Sequence, residues 1–373
     1  MGQFIQRRDK LVRRFAEEGI DTLLITSLAN VTYLTGFTGD SSFLVLTKDR
    51  AILVSDPRYT QQIVDECRNL ATHIRPPAQK VHEAAAELLV KIGSRFVGFE
   101  SGALTVAEFE TFKGLAPSLS WKGAADRVEQ LRIVKDAGEL DLICDAINMA
   151  ERAFVVFRNL LRPEDTEKDL CDALESYVRR VGGQETSFRP IVAVAERAAL
   201  PHAPPTNRAV NSGGLLLVDW GVNGGLYKSD LTRVLDTRTK SAFVANKGDA
   251  TKLEEVYAVV LRAQQAAIHA VRPGVQAQAV DAAARAVIAD AGYGDYFGHG
   301  LGHGIGLQVH EAPAVRPQST TVLQPGMVFT IEPGVYLPDW GGVRIEDDVL
   351  VTADGCEVLS RLTRDLADMR AFA

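Results

Sequence analysis

Short apolar runs alternate with amphipathic stretches through the first third of the chain. The apolar runs predict four strands, at residues 22–26, 43–47, 51–55 and 95–100. Apolar residues that recur at helical spacing predict helices at residues 4–19, 61–69 and 81–92. Alternating elements of this kind are typical of an α/β unit. We therefore predict a first, smaller α/β domain at residues 1–126, a linker at residues 127–135 and a second domain at residues 136–373.

The second domain contains a weak internal repeat. Helices predicted at residues 167–180 and 277–291 each follow a longer helix that ends in an Arg-Pro pair. An apolar, strand-like segment comes after each helix pair, with an acid near its end, Asp219 in the first and Glu332 in the second. These acids are separated along the chain by almost the same interval as the two helix pairs. Two such halves predict an internal pseudo-twofold with both acids at one centre. Chance similarity between common helix–turn–helix sequences is the alternative.

Four carboxylates of this domain follow apolar strand-like sequence, where a buried charge needs a partner or a metal ion. They are Asp219, Asp230, Glu332 and Glu346. Asp230 comes soon after Asp219, beyond a glycine-rich turn, so the two are predicted to face each other on adjacent strands. Arg344 and Glu346 are two apart and project to the same face of a strand. A surface or salt-bridged acid is the alternative for any single residue, but four in one domain favour a shared site.

Three of the seven histidines fall in a run, residues 298–311, in which glycine recurs at alternate positions and allows another backbone or a ligand to come close. His303 and His310 are seven apart and would face opposite ways in a regular strand, but a bend or bulge could direct both to one site. His202, on a proline-rich loop, could reach the same centre. His299 is assigned either to the core or to a position that supports the ligands without contacting the metal, and His73, His82 and His269 are assigned to the surface.

One imidazole with four carboxylates is an oxygen-rich ligand set, which suits Mn²⁺ first and is also open to Co²⁺, Zn²⁺ or Fe²⁺. Four carboxylates carry a charge of −4, which two divalent cations neutralise. Two such ions, about 3.5–4 Å apart, lower the pKa of a shared water and polarise a carbonyl, so the set predicts metal-assisted hydrolysis. The sequence contains no dinucleotide-binding, phosphate-loop, serine-hydrolase or HExxH zinc motif.

Composition narrows the expected partners. The chain has 41 Lys and Arg against 48 Asp and Glu, a net charge of −7, so no broad positive surface for nucleic acid is expected. No apolar run approaches the roughly 20 residues that span a bilayer, and the first residues lack a signal-peptide core. The four cysteines form no CxxC pair, which is typical of a reducing compartment. We expect a cytoplasmic protein without nucleic-acid or membrane partners, and a polar loop at residues 241–250.

The five candidate ligands and the sequence around them resemble the dinuclear centre of the pita-bread (M24) metallopeptidases, in the aminopeptidase P/prolidase branch. Residues 30–37 and 56–59 resemble the creatinase-type amino-terminal domain. The resemblance implies an α+β fold, in which a carboxy-terminal pita-bread catalytic domain with an internal pseudo-twofold follows a smaller α/β creatinase-like domain. It also implies a homodimer.

The resemblance implies a role for each site residue. The metal ligands would be Asp219 on one ion, His303 and Glu332 on the other, and Asp230 and Glu346 as bridges. The residues acting on the substrate would be Glu332, which assists the attacking water, His310, which stabilises the tetrahedral intermediate, and His202, which hydrogen-bonds the substrate near the scissile bond. Arg344 would orient the carboxylates.

By the same resemblance the substrates are peptides with proline at the second position, and we predict an Xaa-Pro aminopeptidase. The closest alternative is an Xaa-Pro dipeptidase; a creatinase-like hydrolase and a non-catalytic binding module are more remote. Many prolidase-like relatives have an arginine where this chain has Ala314, with Arg316 two residues later, and this favours longer peptides. Ala195 and Arg197 stand where relatives tend to have glycine and a small polar residue, so the loop before His202 differs in shape.

Overall fold

The computed structural model describes residues 2–238 and 247–372 of the chain. The backbone divides into two compact units, Met1–Arg132 and Ile133–Ala373. Of the polar loop predicted for residues 241–250, residues 241–246 lie outside the described part of the chain, and a helix begins at Lys247. Among the described residues, none of the helices combines the length and apolar character that a membrane crossing requires.

The first unit is built on a six-stranded mixed sheet. Its strands are β1 (Thr22–Ile25), β2 (Ser42–Thr47), β3 (Ala51–Ser55), β4 (Ala71–Ile74), β5 (Phe96–Phe99) and β6 (Ser120–Gly123). Its helices are α1 (Gly2–Val12), α2 (Phe15–Glu18), α3 (Leu28–Thr35), α4 (Thr60–Glu66), α5 (Val81–Lys91), α6 (Val106–Leu115) and α7 (Glu129–Arg132). The strand order is β4-β3-β2-β1-β5-β6, with β2 antiparallel to both neighbours and the other pairs parallel. Apolar residues of β1, β2, β3 and β5 pack against α5 and α6.

Most of the elements predicted for this unit are found, as β1, β2, β3, β5, α4 and α5. The single helix predicted at residues 4–19 is wrong, since α1 and α2 are separate helices. The second of them ends at Gly19, whose φ of +63° is a conformation that glycine adopts without steric cost. Four elements, α3, α6, β4 and β6, were not predicted, and α7 occupies part of the predicted linker.

The second unit contains four long helices and twelve short strands among its described residues. The helices are α8 (Ala137–Leu160), α9 (Glu167–Arg180), α10 (Lys247–Ala270) and α11 (Ala277–Asp290). The strands are β7 (Glu185–Thr186), β8 (Ile191–Val194), β9 (Leu215–Trp220), β10 (Val222–Asn223), β11 (Leu231–Asp236), β12 (Gly302–Gly304), β13 (Glu311–Val315), β14 (Val328–Ile331), β15 (Gly334–Leu337), β16 (Gly341–Arg344), β17 (Asp347–Val351) and β18 (Cys356–Val358). Capping boxes fix where α8 and α9 begin, with Asp136 and Thr166 as the caps.

All the strand pairs of this unit are antiparallel. Strands β8, β9 and β11 form one sheet with β9 in the middle, and a second sheet has the order β13-β12-β14-β17-β18. Two ribbons, β7 with β10 and β15 with β16, complete the set. The first sheet comes from one half of the predicted repeat and the second from the other, so each half supplies a helix pair and a sheet.

The internal repeat extends to individual backbone contacts. An isolated β-bridge joins Thr166, just before α9, to Ala209, and another joins Gln276, just before α11, to Val322. Thr166 and Gln276 are separated along the chain by the same interval as the two helix pairs. Ala209 and Val322 are separated by the same interval as the acids Asp219 and Glu332. A repeated long-range contact is not expected from chance similarity of helical sequence, so it favours a true repeat.

Strand β9 is buried on both faces, which explains its continuous apolar sequence. Leu216 and Val218 join Trp220 in the core formed with α8 and α9, whereas Leu215 and Leu217 join the core formed with α10 and α11. Asp219 follows Leu217 on its face of the strand because side chains alternate. The carboxylate of Asp219 therefore lies at the end of the apolar core formed with α10 and α11.

We expect Phe154→Ala to lower the free energy of unfolding by about 3–5 kcal/mol, because it opens a cavity in this core. Phe154 is buried, and its ring stacks on Trp220 with centroids 4.4 Å apart. The matched control is Val155→Ala, since Val155 is 51% exposed; it should cost less than about 0.5 kcal/mol. Urea unfolding followed by tryptophan fluorescence measures both, and equal losses would contradict the assignment of the core.

Candidate metal centre

The β9–β11 pair brings the two aspartates to one place. Asp219 lies opposite Thr232 in the register, and Asp230 comes immediately before β11. The two carboxylates are thus diagonal neighbours, whereas the sequence predicted that they face each other. Gly221 allows this close pairing, because a Cβ on it would lie 1.9 Å from the backbone oxygen of Ser229.

The glycine-histidine run turns sharply at its histidines. The pairing of β12 with β13 shifts register between His303 and Gly304, a bulge of the kind the sequence suggested. The rings of His303 and His310 consequently meet edge to face, with centroids 4.2 Å apart. Gly302 and Gly304 lie so close to neighbouring carbonyl oxygens, those of Thr330 and Ala312, that a Cβ would come within 1.9 and 2.1 Å of them.

The five predicted ligands converge on one cavity. His303 Nε2 lies 3.4 Å from Glu332 Oε1 and 3.7 Å from Asp230 Oδ2. Asp230, His303 and Glu346 each offer a ligand atom, and these atoms all lie within 4.8 Å of one another. Asp219 lies outside that group of three. The cavity, of about 820 Å³, is lined by all five residues and by His202, His310 and Arg344.

Arg344 connects two of the carboxylates. Its Nη2 donates to Asp219 Oδ2, and its Nε donates to Thr232 Oγ1 at 3.1 Å. The Thr232 hydroxyl in turn donates to Glu346 Oε2 at 2.7 Å. The guanidinium therefore orients Asp219 directly and Glu346 through one hydroxyl.

A matching metallopeptidase domain and amino-terminal domain cover almost the whole chain. Residues 141–353 match the model of metallopeptidase family M24, and residues 7–134 match the creatinase/prolidase N-terminal domain. The chain belongs to metallopeptidase family M24. A metallopeptidase acts through bound metal ions, and the convergent carboxylates and imidazole are the residues that could hold divalent ions here.

Similar proteins include peptidases with specificity for proline. The chain is 32% identical to an Xaa-Pro dipeptidase of Pyrococcus furiosus, over 97% of this chain and 99% of that protein. An Xaa-Pro dipeptidase structure from Bacillus anthracis is 33% identical, with a TM-score of 0.91, and covers 97% of this chain and 99% of its own. An X-Pro aminopeptidase structure from Thermotoga maritima is 32% identical, with a TM-score of 0.87, and covers 98% of this chain and 100% of its own. These likenesses support the pita-bread fold and the creatinase-like first domain.

The electrostatics of this M24 centre call for cations. Burial, followed by repulsion from neighbouring carboxylates, raises the pKa values of Asp230 and Glu346 well above their usual range. Burial likewise raises the pKa of Glu332, to about 8, against the opposing charge of Arg344. Asp219 Oδ1 is buried and has no hydrogen-bond partner among the described residues. A divalent cation would partner that oxygen and relieve the repulsion, so the donor set fits the metal ions of the family.

Arg344 changes the charge count of the site. Four carboxylates and one guanidinium sum to −3, so one divalent cation leaves −1 and two leave +1. Charge alone therefore does not fix the number of ions, contrary to the sequence argument. Asp219 and Glu332 both lie outside the group of Asp230, His303 and Glu346, so that one group does not include all five predicted ligands.

Two residues of the centre, Tyr336 and Asp348, were not predicted. The Tyr336 hydroxyl accepts from Arg344 Nη1 at 2.8 Å and lies 2.9 Å from His299 Nε2. His299 Nδ1 lies 2.7 Å from the Gly300 carbonyl oxygen, which can only accept, so Nδ1 carries the proton and Tyr336 donates to Nε2. Burial lowers the pKa of His299 to about 4, which keeps it neutral. Asp348 is buried and accepts a hydrogen bond from the Asp230 backbone at 3.2 Å.

We expect Glu332→Gln to stabilise the metal-free protein at pH 8.5 while abolishing hydrolysis. A carboxyl with a raised pKa holds a proton in the folded state that the unfolded chain releases near pH 4.3, so stability falls as pH rises toward the folded value. The loss is about 1.4 kcal/mol per pH unit for each such proton. Glutamine removes this cost.

Thermal unfolding of chelator-treated protein between pH 7 and 8.5 measures this effect. Histidines with lowered pKa contribute only below about pH 6.5, where unfolded imidazoles gain protons, so this window avoids them. The wild type should lose stability across the window more steeply than the variant. A variant that is less stable than the wild type at pH 8.5 would contradict the raised pKa of Glu332.

Proposed function

We propose that this M24 peptidase is an Xaa-Pro dipeptidase, which cleaves the bond between the two residues of a dipeptide that ends in proline. The dipeptidases from Pyrococcus furiosus and Bacillus anthracis, similar over nearly their whole lengths, support this specificity. The observation that carries the proposal is the position of Arg316, which lines the same cavity as the candidate metal ligands.

Arg316 suits a substrate carboxylate. A dipeptide carries a carboxylate close to its scissile bond, and it needs a cation there because four protein carboxylates already line the cavity. Arg316 follows β13, is exposed, and has no hydrogen bond or ion pair from its side chain within the described ranges. Gly300 lies against it, since a Cβ on that glycine would be 2.8 Å from Arg316 Cβ. Many prolidase-like relatives have an arginine at the position of Ala314. The guanidinium of Arg316, two residues later, can take its place.

The second candidate is the Xaa-Pro aminopeptidase that the sequence favoured. Ala314 also lines the cavity, and its small side chain leaves room for a substrate that continues beyond proline. The X-Pro aminopeptidase of Thermotoga maritima is similar at nearly the same identity. Activity on dipeptides against longer peptides separates the two candidates.

The protein's own residues would divide the chemistry as follows. Two divalent ions, proposed as Mn²⁺ with Co²⁺, Zn²⁺ or Fe²⁺ as alternatives, would supply an acidified water and a Lewis acid when bound to Asp219, Asp230, His303, Glu332 and Glu346. Glu332, which lines the same cavity, would accept a proton from the attacking water.

The two histidines nearest the substrate would act on the peptide itself. Burial lowers the pKa of His310, so its neutral ring can donate an N–H to the carbonyl oxygen of the scissile bond as negative charge develops there. His202 lines the same cavity, is exposed, and can donate to the substrate backbone. Arg344 would hold Asp219 in position throughout.

We also propose that the protein is a cytoplasmic homodimer. Its four cysteines are free and buried or half-buried, which supports a reducing compartment. Light scattering after size exclusion measures the oligomeric state, and a monomeric mass would reject the dimer.

We expect Arg316→Gln to lower kcat/KM for Ala-Pro by about 10- to 100-fold, mainly through KM, because a hydrogen-bonded charge pair contributes about 1.5–3 kcal/mol. Hydrolysis of Ala-Pro-amide, which has no carboxylate, should not change. The assay uses Mn²⁺-loaded enzyme and adds the tripeptide Ala-Pro-Ala.

The matched control is Arg189→Gln, an exposed arginine of the same cavity whose side chain is engaged with the Cys171 thiol. It should leave the ratio of Ala-Pro to Ala-Pro-amide hydrolysis unchanged. Preference of the wild type for Ala-Pro-Ala, unaltered by Arg316→Gln, would support the aminopeptidase instead. Wild-type enzyme inactive on all three peptides with every metal would reject both candidates.

A further inference from the structure

The loop that carries His202 has little regular structure of its own. It begins with a short 3-10 turn, Ala195–Ala199, and runs through three prolines that line the cavity: Pro201, Pro204 and Pro205. His202 is exposed, so packing does not fix the position of its ring. What holds the two ends of the loop therefore decides where this imidazole lies.

Glu167 holds both ends. This residue is the first of helix α9 and is completely buried. Its Oε1 accepts from the Val194 backbone N–H at 2.9 Å, just before the loop. Its Oε2 accepts from the backbone N–H and the hydroxyl of Thr206, at 2.9 and 2.6 Å, just after the loop. A single buried carboxylate thus closes the loop at its base.

Arg197 ties the interior of the loop to that base. Its Nε lies 3.0 and 2.9 Å from the two carboxylate oxygens of Glu167, and its Nη2 donates to the carbonyl oxygen of Pro204 at 2.5 Å. Pro204 is two residues beyond His202. The guanidinium, 22% exposed, neutralises the buried carboxylate and fixes the chain next to the histidine at the same time.

The opposite side of the loop packs on a strand of the metal centre. A Cβ on Gly342 would lie 2.0 Å from the Ala198 carbonyl oxygen, and one on Gly341 would lie 3.0 Å from that of Ala195. Both glycines belong to β16, which ends at Arg344. Ala195 itself has a φ of +51°, a left-handed conformation that is costly for alanine. The turn is therefore held in one shape between Glu167 and β16.

We propose that Arg197 is a positioning residue for His202. With Glu167 it sets the His202 loop over the cavity, so its effect on catalysis is transmitted through that imidazole. The proposal rests on the proposed function for the contact of His202 with the substrate, but the positioning itself is measurable without activity. The competing explanation is that Arg197 only stabilises the fold.

The kinetic test compares Arg197→Gln with the wild type on Ala-Pro, in the wild-type and the His202→Ala backgrounds. A displacement of about 1 Å can cost about 100-fold in rate, so we expect kcat/KM to fall about 10- to 100-fold in the wild-type background. In the His202→Ala background we expect no further fall, because the two residues act as one unit. Equal losses in both backgrounds would overturn the proposal.

The matched control is Arg208→Gln. Arg208 lies beyond the same loop, and its side chain contacts Glu196 and Ser212 but neither Glu167 nor Pro204, so only backbone bonds, which the substitution keeps, join it to the Glu167 cluster. It should change kcat/KM by less than about twofold, since exposed ion pairs contribute little. If Arg197→Gln does not fold, Arg197→Lys keeps a cation beside Glu167 but cannot also reach Pro204, and its kcat/KM should fall in the wild-type background alone.

The structural test uses ¹³C-labelled histidine, of which the chain has only seven. The His202 signal is assigned by its loss in His202→Ala. Arg197→Gln should shift or broaden that signal and leave those of His73, His82 and His269 in place. An unmoved His202 signal overturns the positioning role, whereas an inactive wild type with a moved signal rejects only the proposed function.

Discussion

The mutual repulsion of buried carboxylates is the constraint on which the second unit depends. Asp219, Asp230 and Glu346 are nearly inaccessible to water, and Glu332 is close beside them. Without compensation such a cluster would favour protonation or unfolding. The described part of the chain supplies one guanidinium, from Arg344, and a few hydroxyl donors, which leaves the remaining charge for metal ions. The repulsion among these carboxylates therefore lowers the stability of the metal-free fold, at the site where negative charge is needed to bind metal ions.

Much of the site was predictable because its signal is local. An acid at the end of an apolar strand is visible in the sequence, and so are glycines at alternate positions beside histidines. The five residues selected in this way do converge. Their assigned roles stay predictions, since geometry alone does not distinguish a bridge from a terminal ligand. Asp348 was missed because it adjoins Asp347, and only the structure separates the acid that contacts Asp230 from the one paired with Arg233.

The shortest of the missed elements have a physical cause in common, which is weak local periodicity. Helix α3 spans eight residues between Ser27 and Gly36, too short for a helical repeat to stand out. Helix α6 carried a usable signal, the capping box of Thr105 and Glu108, that was not applied.

The sequence-based preference for longer peptides, which came from Ala314, also overlooked a local signal. Residues two apart on an extended chain point the same way, so Arg316 was a candidate for the same cavity from the alternation alone.

The links that hold the metal centre together are very long in sequence. Thr232 bonds Glu346 across 114 residues, Asp230 bonds Asp348 across 118, and Asp219 bonds Arg344 across 125. Each link joins one half of the repeat to the other. Contacts of such separation form only after large loops have closed, which is slow and comes late in folding. A partly synthesised chain that has completed only its first half therefore has two aspartates but no centre, and peptidase activity is delayed until the whole unit has folded.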